Sequence, residues 1–354
     1  MIISKTYSFR YRNLTLLVLL LVNLILLSAP CSGAETKTII DITGNKVIIP
    51  ANISRAVNID PFSGQFIYII GADKKLVGTT MGPADRERLN LIEPYLMSLP
   101  SAGHKDNLNK EELMLLKPDI VISSVDYINA NEVSEQLGIP FIILDFETPE
   151  NLIKSYRILG EVFGREREAE TFIKYYTNKM NQVKTDLAKV TDEKKKTVYF
   201  GQKKPTQTLG NNYYEASIAG VAGAENVATG ISGGDNVVSM DQIYSWDPDA
   251  IILLPYCPAN ISSILSDPAW QALSAVKNRQ VYRMPKYLMT WEMPVPESVL
   301  ATMWMENVLY PGYSSNNMSL EIKNFYLNFY NITLSDEEIS DILTNSSPVK
   351  LTEM

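Results

Sequence analysis

Two fifteen-residue stretches decide how this chain folds: NKEELMLLKPDIVIS at 109–123 and SMDQIYSWDPDAIIL at 239–253. They align without a gap, 130 residues apart. In each, two apolar residues three apart, Leu113 and Leu116 or Ile243 and Trp246, mark one side of a short helix that Pro118 or Pro248 then stops. The apolar runs that follow, 120–122 and 250–254, are too short for a helix and rich in β-branched residues, as expected of a strand buried on both faces. Each copy therefore predicts helix, turn, buried strand. A carboxylate, Glu111 or Asp241, stands seven residues before the Pro in both. Acidic side chains favour the first turn of a helix, where they meet the positive end of its dipole. That accounts for either one singly; the matched offset asks for a further reason.

Working outward, residues 37–50 predict two strands about a Thr-Gly-Asn turn. Strand (56–59), helix (63–70), strand (75–79) and helix (86–96) precede the first copy, and a helix (132–137) and strand (141–144) follow it. Such alternation predicts an α/β lobe with a mostly parallel sheet. After Gly164, Ala169, Phe172, Ile173, Tyr176, Met180, Val183, Leu187 and Val190 recur at gaps of one, three or four, predicting one long amphipathic helix over 165–190. A strand (197–200), a helix (215–221), the second copy, and helices from 297 onward and over 320–330 make a second lobe. The expected division is a leader at 1–34, an N-terminal lobe at 35–164, a linker helix at 165–195 and a C-terminal lobe at 196–354. Two lobes on one stiff connector enclose a cleft.

The leader has the layout of a secretory signal: Lys5, Arg10 and Arg12, a mostly apolar run at 14–27, then Ser32-Gly33-Ala34. Cleavage after Ala34 is expected, since the apolar run is shorter than the ~20 residues that cross a bilayer as a helix. An uncleaved anchor, or a lipid anchor at Cys31 despite the poorly fitting Pro30 before it, is the alternative. The expected location is outside the cytoplasmic membrane, periplasmic or on the cell surface. The mature chain would keep one cysteine, Cys257, so no internal disulfide is expected. Asn-x-Ser/Thr sequons at Asn52, Asn260, Asn317, Asn331 and Asn345 are candidate glycosylation sites. The formal net charge of −8 becomes −11 without the leader's three cations, which disfavours a nucleic-acid partner.

Enzyme signatures such as G-x-S-x-G, H-E-x-x-H, G-x-G-x-x-G and G-x-x-x-x-G-K are missing from the sequence. With His104 the single histidine, most nucleophile and base pairs cannot be assembled. A binding protein, with no catalytic residue, no cofactor and no protein-held metal, is the expectation; a secreted two-lobed transferase or chelatase is the alternative from another class. Ligands of open parallel sheets sit at the carboxyl ends of the strands. Residues there are the candidate contacts: Phe62, Met81, Arg86, His104 and Tyr127 in the first lobe, and Lys203, Tyr213, Tyr214, Tyr256 and Trp291 in the second. Asp60, Asp126, Lys204, Tyr287 and Glu292 stand beside them. Flat aromatic faces suit a macrocycle or catechol ring, and Lys and Arg suit an anionic chelate. Trp291, in TWEMPVPE, is favoured most, because a loop indole needs some apolar surface to cover it.

Across nearly the whole mature chain the sequence resembles the class III solute-binding proteins of ABC importers, which take up cobalamin, iron siderophores, haem and related metal chelates. The resemblance is carried by DITGNKVIIP and RAVNIDP, by GADKKLVG at 71–78, by KPDIVI and DPDAII in the two copies, by AGAENVA at 222–228, and by DPAWQALSAVKNRQVY at 267–282. It implies two Rossmann-like lobes joined by a single long rigid helix, a monomer, and a metal chelate in the cleft. The iron(III)-siderophore type comes first, then haem or cobalamin, with a nickel or cobalt complex as the alternative. It also implies a transmembrane permease, and through it an ATPase, as partners. In such proteins an acidic residue on each lobe docks into permease arginines, and Glu111 and Asp241 fall at the matching positions. Asp241 departs from the usual Glu by one methylene, which shortens its reach. A stiff helical connector implies small opening motions.

Overall fold

The repeated stretches fold alike, and each becomes the middle of a parallel sheet. The structure is a computed structural model that describes residues 35–80, 92–104, 107–127, 129–191 and 194–345. The leader with Cys31, the candidate contacts Met81 and Arg86, and most of the helix expected over 86–96 lie outside the described residues.

An antiparallel hairpin of β1 (Thr36–Ile40) and β2 (Lys46–Pro50) precedes the first lobe. The lobe runs β3 (Ala56–Asn58), α1 (Ser63–Ile69), β4 (Leu76–Thr79), a short ladder of β5 (Gly103–His104) and β6 (Asn107–Leu108), α2 (Lys110–Leu116), β7 (Ile120–Ser124), α3 (Ala130–Leu137), β8 (Phe141–Leu144) and α4 (Pro149–Phe163). Its sheet has the order β4-β3-β7-β8, every pair parallel.

The connector α5 (Glu166–Leu187) leads to β9 (Lys196–Gly201), β10 (Gln207–Thr208), α6 (Tyr214–Val221), β11 (Ala224–Asn226), β12 (Asn236–Val237), α7 (Met240–Trp246), β13 (Ala250–Leu253), α8 (Ile261–Ser266), α9 (Ser274–Lys277) and β14 (Val281–Arg283). The second sheet, β11-β9-β13-β14, is again parallel throughout. Its order corresponds strand for strand to the first. The chain closes with α10 (Ser298–Leu309), α11 (Met318–Tyr330) and α12 (Asp336–Thr344).

The two helix–turn–strand units share their local devices. Asn109 and Ser239 accept from the amides of Glu112 and Gln242, capping the orphan donors at each helix start. Lys117 and Asp247 take left-handed conformations, at φ 45° and 38°, which end the helices just before Pro118 and Pro248. Asp119 then accepts from the amides of Ser54 and Arg55, and Asp249 from that of Thr197, tying each turn to the start of the neighbouring central strand.

The structure adds a helix absent from the sequence reading. Thr148 caps α4 and Pro149 starts it, while Gly164, at φ +64°, ends it. Gly160 lets α4 lie close to α5: a Cβ there would come 2.8 Å from that of Ala169. Along α5, Ala169, Phe172, Ile173, Tyr176, Met180 and Val183 are buried as the periodicity predicts, but the helix ends at Leu187 rather than Val190. It is no bare strut. Its buried face belongs to one apolar core that also includes Phe66 and Tyr156 from the first lobe and Trp304 and Phe325 from the closing helices.

Candidate functional site

The candidate contacts were placed at the carboxyl ends of the strands, where open parallel sheets bind ligands. After β3, the Asp60 carboxylate accepts from the amides of Phe62 and Ser63, at 3.0 and 2.6 Å, and Asn58 and Ser63 complete a buried turn. Burial raises the Asp60 carboxyl above the usual carboxylate range against those hydrogen bonds, and Asp126 adds to the rise. Phe62 is half-buried just ahead of α1. His104 pairs through its backbone with Asn107 in the β5/β6 ladder. Tyr127, after β7, is half-buried with its ring 6.4 Å from Phe141, and leans on the α3 side of its lobe.

In the second lobe Lys203 is exposed and paired with Asp235 at 2.6 Å, which ties the loop after β9 to the approach to β12. Tyr213 is half-buried at the start of α6, and its ring fills the space where Gly234 has no side chain. Tyr256 is 57% exposed after β13.

Two of the candidate contacts are interior residues instead. Tyr214 is buried, donates to Ser298 at 2.8 Å and lies 3.2 Å from the hydroxyl of Tyr176, so its polar tip is already satisfied inside the protein. Trp291 is fully buried and donates from Nε1 to the Tyr326 hydroxyl at 3.1 Å. The indole does need apolar cover, and α11 supplies it.

Carboxyls missing from the candidate contacts lie nearby. Glu215, in the first turn of α6, is buried and pushed up to about 7 by that burial, with Glu147 of the first lobe adding to the rise. Glu292 is fully buried, neither carboxyl oxygen has a hydrogen-bond partner, and burial followed by the neighbouring Glu215 raises it well above the carboxylate range. Both groups are therefore held towards their neutral, proton-donating forms. The one sequence signal for Glu215 is its place directly after a strand-end tyrosine pair; nothing local marks it as buried.

The lobes also meet at a polar seam. Tyr330 on α11 donates to Gln65 of α1 at 2.6 Å and lies 3.2 Å from Glu297, and its ring stacks on Tyr68 at 5.8 Å. Lys179 of α5 pairs with Glu321 of α11 at 2.6 Å. Thus α11 braces the connector and reaches back to the first lobe.

Glu111 and Asp241 are exposed in the first turns of α2 and α7, at equivalent places in the two lobes. A cavity of about 880 Å³ lies in the second lobe between the segments after β13 and β14 and the end of the chain at α12, with Pro258, Arg283, Lys286, Tyr287, Glu338 and Asp341 on its walls. Among the described residues no group of three or more His, Cys, Asp or Glu is arranged to hold a metal ion, and no helix is long and apolar enough to cross a membrane. Cys257 is buried and unpaired.

Two parallel sheets of one strand order, linked by α5 and braced by α11, make up the fold, and comparison with known proteins identifies its family. Residues 57–288 match the model of the periplasmic binding protein family, and the chain belongs to that family. It is 25% identical over 337 residues to the molybdate-binding protein MolA of Haemophilus influenzae, covering 88% of this chain and 95% of that protein. It is 21% identical over 250 residues to a vitamin B12-binding protein of Vibrio cholerae, covering 70% and 86%. A solved periplasmic solute-binding protein from Veillonella parvula superposes with a TM-score of 0.76 at 28% identity, covering 87% of this chain and 97% of that one.

Proposed function

We propose that this chain is the extracytoplasmic capture protein of an ABC importer. It takes a metal chelate into the cleft between its lobes and hands it to a membrane permease, which is coupled to an ATPase. The ligand class is an iron(III)-siderophore type complex, with haem or cobalamin next. Phe62, Met81, Arg86, His104, Tyr127, Lys203, Tyr213 and Tyr256 are the side chains proposed to meet it, and no step of covalent chemistry is assigned. The observation that carries this reading is the duplication: two lobes of one strand order, each with an exposed carboxylate, Glu111 or Asp241, at the same point of the same unit. Those two side chains are the proposed contacts to permease arginines, where exposed charges set approach and register more than affinity.

A second reading, a metal oxyanion in place of a chelate, is favoured by the relative named for molybdate, which is matched over 95% of its length. The test is the metal content and visible absorption of the protein purified from its own host. A ferric, haem or corrinoid spectrum with one metal per chain is expected; molybdenum with no visible band would select the second reading. A metal-free protein that binds none of these compounds would overturn both.

A further inference from the structure

The face that carries Glu111 is not simply acidic. On a helix, residues three and four apart share a side. Met114 and Leu115 stand at those offsets from Glu111 on α2, and they are 58% and 74% exposed. The same offsets from Asp241 on α7 give Tyr244 and Ser245. Tyr244 is only 37% exposed, and its hydroxyl is tied down to the carbonyl of Ala269. Apart from Tyr244, the exposed large apolar side chain nearest in sequence to Asp241 is Val237, on the strand before the helix. So the first lobe presents a carboxylate and two exposed apolar side chains on one seven-residue helix, while the second presents a carboxylate beside a tethered ring. A hollow of about 550 Å³ opens beside Glu111, walled by Ser101, Gly103, Asn107, Leu108 and Lys110.

Single exposed apolar residues are ordinary on a protein surface. Two adjoining ones on the same face as a proposed docking charge, next to a concavity able to receive a side chain, are better explained by a partner. A second copy of the chain is a poor occupant, because Glu111 and Glu112 would face their own like charges and the chain is net negative at −8.

We infer that Met114 and Leu115 form, with Glu111, a composite contact for the permease: a basic side chain meets Glu111 at the hollow, and an apolar depression beside it receives Leu115 and Met114. The inference rests on the docking reading above and deepens it. It makes the two lobe contacts unequal, the first held by desolvated apolar surface and the second by charge. Apolar burial at such a contact acts on dissociation and is insensitive to salt, whereas exposed charges act on association and are screened.

The experiment measures binding of the full chain to its host's permease–ATPase complex in lipid nanodiscs, at low and high salt. Leu115→Ser with Met114→Ser is expected to speed dissociation about tenfold at both salts, within the range for a central apolar contact. Glu111→Gln is expected to slow association mainly at low salt, and Tyr244→Ser to change binding less than twofold. Unchanged dissociation in the Met114/Leu115 variant, with Glu111→Gln still impaired, would overturn the composite contact and leave the docking reading standing. If Glu111→Gln and Asp241→Asn also bind normally, or the unaltered chain does not bind, the docking reading itself fails. Sedimentation that shows a dimer dispersed by Leu115→Ser would assign the patch to a second copy and overturn the inference.

Discussion

Glu297 shows how a single residue links the lobe seam to pH. It is fully buried, one carboxyl oxygen lies 3.2 Å from the Tyr330 hydroxyl, and the other has no partner. Burial pushes it from the usual 4.5 up to about 7. Glu215 is pushed to the same value. A carboxyl whose pKa is higher folded than unfolded binds more protons in the native state between those two values, so stability falls as pH rises through that window. A shift of this size corresponds to about 3 kcal/mol for one fully buried group. The protein is therefore expected to melt higher at pH 5 than at pH 8. Glu297→Gln, which keeps the shape and cannot ionise, should flatten that slope; melts of the two proteins across the range check this, and an unchanged slope would remove Glu297 from the account. The same residues show where sequence reading stops. Glu297 meets Tyr330 of α11 and Glu215 lies near Glu147 of the first lobe, partners far along the chain, and no local pattern carries that information.

At the scale of elements, the repeated unit was legible because each step has a local cause: apolar residues three apart, a Pro, then a β-branched run. The parallel character of the sheets followed from the alternating α/β context of the two units, whereas the strand order came from the structure. The helix α4 carried equally local signals in Thr148, Pro149 and Gly164, yet the periodicity of α5 just beyond overshadowed them. Tyr214 and Trp291 were misplaced for a different reason: position after a strand says that a residue is near the cleft, not which way its ring turns. Trp291 turns towards α11, and Tyr214 towards Ser298 and Tyr176. Two elements now restrain the lobes, since α5 shares one core with both and α11 bonds to Gln65 of α1. Opening on ligand release is thus expected to be small. X-ray scattering with and without ligand should give nearly superposable profiles; a large change in radius of gyration would mean that the seam breaks.

For the whole molecule, family membership and fold place this chain among the two-lobed periplasmic binding proteins, and the proposal adds capture between the lobes and delivery to a membrane partner. In this proposal capture and delivery use different surfaces. The proposed ligand contacts surround the strand ends, whereas Glu111 and Asp241 project from helices α2 and α7 in the two lobes. Removing both carboxylates should therefore disable transfer and spare capture. The most direct measurement is ligand affinity of purified Glu111→Ala/Asp241→Ala protein alongside ATP-driven uptake by vesicles containing the host's permease. Unaltered affinity with uptake abolished is the expected result. Loss of affinity, or normal uptake by the double variant, would contradict the division between cleft and docking face.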